Sequence, residues 1–82
     1  MQNVKILLRT GKQVNQFVSA MSKYDFAIYL TSPYYRVDAK SMIGVFGIDL
    51  SQPVNVEIGG KDDILSEEEI ALVMQSLKPY LV

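Results

Sequence analysis

Histidine is absent from this 82-residue chain, and so is cysteine. Without an imidazole there is no histidine general base, no phosphohistidine and no histidine metal ligand. Without a thiol there is no disulfide, no cysteine nucleophile and no thiolate-bound zinc, so the fold must rest on packing alone. Long apolar runs are missing too. None approaches the roughly 20 residues that span a bilayer. The opening MQNVKILLRT is interrupted by charge too soon for a secretion signal. These absences predict a cytoplasmic protein with no place in a membrane. Charge of one sign is equally scarce: Lys+Arg 8 stand against Asp+Glu 9, a net charge of −1. No basic stripe is available for nucleic acid, and the five tyrosines lack the cationic groove of a base-stacking platform.

What is present is ordinary globular material, 49% hydrophobic and 21% charged. The length predicts one domain over residues 1–82, burying roughly 60–65% of its unfolded surface. Asn3–Leu8 reads as a first strand with Val4, Ile6 and Leu8 on one face. Val14, Phe17, Val18 and Met21 have helical spacing, and Thr10 with Gln13 fits a capping box, which predicts a helix over about Gly11–Lys23. Phe26–Leu30 alternates as a strand, Ser32-Pro33-Tyr34 supplies a turn, and Tyr35–Val37 returns. In DAKSMIGVFG, residues 38–47, Ser41 caps a helix barely two turns long. Val54–Ile58 alternates apolar and polar residues as a half-buried strand. Ser66 and Glu69 form a second capping box, Ile70, Val73, Met74 and Leu77 give a stripe, and Pro79 ends that helix near Lys78. One-sided strands in the order β-α-β-β-α-β-α predict an α+β fold, an antiparallel sheet with helices on one face.

Few side chains carry chemistry of their own. Asp62, Asp63 and Glu67–Glu69 lack the spacing of a calcium loop and read as loop and helix-start acids. Arg9, Thr10, Gly11 and Lys12 gather two cations and a hydroxyl at a helix start, where an anion would be welcome or where Thr10 merely caps. Ser41 has two compatible readings. It is a helix cap, and a phosphate there would meet the positive helix end beside Lys40. The same phosphate would place charge beside Met42, Ile43 and Phe46, which form a docking patch if they project outward.

Ser22-Lys23-Tyr24-Asp25, then Lys40-Ser41-Met42-Ile43-Gly44-Val45-Phe46-Gly47-Ile48, resembles the HPr family. These are the small histidine-containing phosphocarrier proteins of the bacterial phosphoenolpyruvate-dependent sugar phosphotransferase system. The family's second-helix hallmark is approximately K-S-I-M-G-V-M-S-L, here with Ile and Met exchanged. The resemblance implies an open-faced β-sandwich: a four-stranded antiparallel sheet of order 1-4-2-3, covered on one face by three helices. It implies Ser41 as a candidate for regulatory phosphorylation by an HPr kinase, and Met42, Ile43 and Phe46 as part of a partner-docking surface. The family's phosphoacceptor histidine stands in a T-G-L-H-A-R-P-A segment, where this chain reads R-T-G-K-Q-V-N-Q-F over residues 9–17. An ungapped match puts Thr10 at the histidine and Lys12 at the arginine, whereas aligning the first strands shortens the loop between.

The expectation is a non-enzymatic regulatory module without cofactor or metal. It would bind proteins through Lys12, Met42, Ile43 and Phe46, with Ser41 as a gate. An HPr kinase, a transcriptional regulator or a transport component are the candidate partners. The alternative is an interaction module, with a homodimer as one form, that has lost both phosphorylation functions.

Overall fold

The computed structural model describes residues 2–82, and the side chains from Val4 onward. Its elements are β1 (Gln2–Ile6), α1 (Gly11–Met21), β2 (Ile28–Ser32), β3 (Tyr35–Asp38), α2 (Met42–Phe46), β4 (Val54–Ile58) and α3 (Glu67–Leu77). One turn of 3-10 helix, Lys78–Tyr80, follows α3. The four strands form one antiparallel sheet in the order β1-β4-β2-β3, with Val4 opposite Val56 and Leu30 opposite both Val56 and Val37. This is the α+β architecture and strand order expected.

Alternation in the strands decides which face is covered. Val54, Val56 and Ile58 of β4 and Ile28 and Leu30 of β2 are buried, while Asn55, Glu57, Tyr29 and Thr31 between them are half-buried on the other face. The helices lay their stripes on the apolar face: Val14, Phe17, Val18 and Met21 from α1, Val45 from α2, Val73 and Leu77 from α3. Phe17 is fully buried and meets Tyr80 edge to face, ring centroids 6.0 Å apart. On the uncovered face Arg36 reaches back across the sheet, 3.9 Å over the Tyr29 ring and 2.7 Å from Glu57. That pair is solvent-screened and contributes about 0–1 kcal/mol.

The element boundaries differ from the sequence expectation in instructive ways. β1 stops at Ile6 instead of Leu8, because the Leu7 amide donates to the Tyr80 carbonyl (2.9 Å) and Leu8 turns down into the core. α1 stops at Met21 instead of Lys23. The Ser22 hydroxyl donates to the Val18 carbonyl (2.7 Å), and the Lys23 and Tyr24 amides shift to partners three residues back. β2 runs from Ile28 to Ser32, starting and ending two residues later than expected. The Ala27 amide is drawn to the Asp63 carboxylate (3.0 Å), and Pro33-Tyr34 alone make the hairpin turn, leaving Ser32 paired with Tyr35.

Candidate functional site

Two local structures that are 30 residues apart in sequence are brought together on the helical side of the molecule. The first is the start of α1. Thr10 is in extended backbone, and its hydroxyl accepts a hydrogen bond from the Gln13 amide (3.1 Å). The expected capping box is displaced by one residue: the Gln13 side chain accepts from the Arg9 amide (2.6 Å), not from the Thr10 amide. Arg9, Thr10, Gly11 and Lys12 are all exposed.

The second is α2. Ser41 caps it, its Oγ accepting from the Gly44 amide at 3.1 Å. A Cβ at 44 would stand 3.1 Å from the same oxygen, a tight approach that the glycine avoids. Ser41 itself is half-buried. Five residues cannot hold a helix in water by their own propensity, so packing fixes α2. Val45 is its anchor, fully buried, and Met42 packs half-buried against the core.

The remaining apolar side chains point the other way. Ile43 is 88% exposed and Phe46 is 49% exposed. The Phe46 ring lies beside Gly11, within 4.0 Å of where a Cβ would be. That is ordinary van der Waals distance, so the start of α1 and the Phe46 ring share a surface. Thr10 and Lys12 flank that contact along the chain, with Phe46 across from them. The set named from sequence therefore divides: Ile43, Phe46 and Lys12 are on the surface, whereas Met42 turns largely inward.

The neighbour of Ser41 in the chain, Lys40, has a bond of its own. Lys40 Nζ donates to the Phe26 carbonyl at 2.7 Å. Asp63 is nearby, its Oδ2 accepting from the Gly60 amide (2.7 Å) and the Ala27 amide (3.0 Å). Those two bonds, Gly60 first, hold the Asp63 carboxyl below its usual range despite some desolvation, with the Lys40 charge a smaller cause. Asp63 from the β4–α3 loop and Lys40 from the β3–α2 connection thus both clasp the approach to β2. Sequence reasoning missed this clasp because its members lie 14 and 36 residues apart.

Among the described residues no group of three Asp or Glu side chains converges as a metal site. Among the described residues no helix is long and apolar enough to cross a membrane.

No family model matches the chain, and no curated protein matches it. Among solved structures it is similar to HPr-C-His from Thermoanaerobacter tengcongensis, at 25% identity and a TM-score of 0.69, covering 95% of this chain and 92% of that one. The fold is the HPr fold. This chain has that fold in a sequence that contains no histidine.

Proposed function

We propose that this chain is a regulatory protein-binding module related to the phosphoenolpyruvate-dependent sugar phosphotransferase system, and not an enzyme. The observation that carries the reading is the absence of histidine from a chain with a phosphocarrier fold. A phosphocarrier needs a labile N–P bond. The hydroxyl of Thr10, at or near the family's acceptor position, would form a phosphate ester too stable to pass its phosphoryl group onward. What remains is a surface that can bind. Ile43 and Phe46 offer exposed apolar area beside Gly11, and Lys12 supplies a cation at the rim. Partners would be proteins, with a transcriptional regulator or a transport component as candidates.

Ser41 is the proposed gate. A phosphate there adds up to about two negative charges next to Ile43 and Phe46, and its oxygens can still accept from the amides that the hydroxyl caps. Incubation with an HPr kinase and ATP, followed by mass spectrometry, tests this step: a gain of one phosphate at Ser41 is expected, and an unmodified serine overturns the gate. Pull-downs with Ser41→Asp and Ser41→Ala baits test its effect. Different partner sets are expected, and identical sets argue against a switch.

The competing reading is an interaction module that has lost both phosphorylation functions. It calls for the Met42–Phe46 side chains to be buried in the chain's own core or against a second copy. At 88% exposure Ile43 is outside the core, so this reading now requires a homodimer. A mass that stays monomeric by light scattering as concentration rises would remove it.

A further inference from the structure

A second surface, separate from the Ile43–Phe46 face and unused by the role above, lies at the tip of the β2–β3 hairpin. The Pro33-Tyr34 turn meets the loop joining α2 to β4. Between them is an open groove of about 360 Å³ whose walls include Pro33, Tyr34, Tyr35, Asp49, Gln52 and Pro53. That size is at the low end for binding sites, roughly 300–1,000 Å³, and suits a short chain segment. Tyr34 is 94% exposed. Its ring stabilises almost nothing in its own chain, whereas an aromatic in a fold ordinarily buries most of its area.

The groove's chemistry narrows what would fit. Two of its wall residues are prolines without an amide donor, which disfavours recognition by strand addition. Rigid proline and tyrosine rings instead make ridges between which other flat rings can pack. A polyproline II segment carries such rings and leaves its backbone carbonyls without internal partners. The tyrosine hydroxyls and the Gln52 amide are donors of the kind those carbonyls accept.

Asp49 supplies the charge selectivity. Its Oδ1 accepts from both the Ser51 hydroxyl (2.6 Å) and the Ser51 amide (3.0 Å), which leaves Oδ2 with no partner among the described residues. Those two bonds, the hydroxyl first, hold the carboxyl below its usual range, so it is ionised at neutral pH. Among the described residues the one ion pair is Arg36–Glu57, so no internal cation neutralises Asp49.

We propose that this groove binds a proline-rich segment of another protein in the polyproline II conformation, with an arginine or lysine beside the prolines to meet Asp49. The probe is a synthetic peptide of consecutive prolines flanked by arginines, titrated into the full-length isotope-labelled chain and followed by amide chemical shifts. Saturable shifts confined to residues 32–35 and 49–54 are expected. Tyr34→Ala should weaken binding about tenfold, the loss typical of an aromatic anchor. Asp49→Asn keeps an oxygen for Ser51 yet removes the charge, and should weaken it a few-fold. The same variant should erase any preference over a peptide flanked by glutamates. Both positions are exposed, so unchanged spectra elsewhere will show that the variants fold. No shifts at millimolar peptide would overturn the proposal. So would equal binding of a glycine-serine peptide with the same arginines, shifts centred on Ile43 and Phe46, or a Tyr34→Ala variant that binds as tightly as the parent.

Discussion

A side chain on Gly44 would meet the hydroxyl that caps its own helix, which makes the effect of Gly44→Ala depend on Ser41. Alanine in place of a helical glycine ordinarily gains up to about 1 kcal/mol. Here the Cβ would stand 3.1 Å from Ser41 Oγ and push on a cap worth about 1 kcal/mol, which offsets that gain. Gly44→Ala should therefore leave stability nearly unchanged in the parent and raise it in a Ser41→Ala background, a coupling that urea denaturation of the four variants will measure. Gly59 is simpler. Its φ of +89° is outside the range that side chains readily adopt, and a Cβ would stand 3.0 Å from Leu65 Cδ1. Gly59→Ala should cost about 1–3 kcal/mol. Asp63 adds a pH dependence whose sign follows from its depressed pKa. The folded state then binds fewer protons than the unfolded one at acid pH. Its contribution is complete above the unfolded carboxylate value, about pH 4, and is lost as pH falls through the lower folded value. Denaturation midpoints taken down an acid series should fall in the parent and fall less steeply in Asp63→Asn.

Helix ends and strand edges show how much of this structure was legible in its residues. The Ser66–Glu69 box was readable because every bond in it is local, and both of its bonds form, at 3.1 and 2.9 Å. Because the box is reciprocal, Ser66→Ala and Glu69→Ala should each destabilise α3 by about 1 kcal/mol, and the double variant by less than the sum. Circular dichroism melts of the three variants check this. The alternation of Val54–Ile58 was readable for the same reason, since a period of two needs only five residues to declare itself. The start of β2 was not. Phe26 and Ala27 have strand-like composition, yet the Ala27 amide is taken by Asp63, 36 residues away. The displaced cap of α1 has a smaller cause: Gln13 is long enough to reach the Arg9 amide as well as the Thr10 amide, and spacing does not choose between them. The candidate site was half legible. Its residue types stood out in DAKSMIGVFG, but a five-residue helix has no period from which to tell Met42 inward from Ile43 outward. Nor does any local pattern pair Phe46 with Gly11, which only the docking of α2 beside α1 produces.

The molecule as a whole has little stability to lose. At roughly 0.05–0.15 kcal/mol per residue, a chain this short has about 4–12 kcal/mol in all. Phe17 is fully buried and holds Tyr80 edge to face, so Phe17→Ala should cost about 3–5 kcal/mol. That is a large share of the total, so Phe17→Ala should melt far below the parent and Phe17→Leu between the two; calorimetry of the variants will show it. The same core explains why one helical face can carry exposed apolar groups: Val45, with Met42 half-buried beside it, anchors α2, and Ile43 is left on the surface. The strand order also sets a sequence of events in time. Within the sheet β1 pairs with β4 only, Gln2 opposite Ile58 and Ile6 opposite Val54, and its outer edge meets Tyr80, Leu81 and Val82. The β2–β3 hairpin closes over two residues and can form early, but β1 must wait until segments some fifty residues further on are in place, a loop closure that slows folding. In pulse-labelled refolding, the amides of Lys5 and Ile6 should gain protection together with those of β4 and after those of the hairpin. The strand that comes first in the sequence would be among the last to be held.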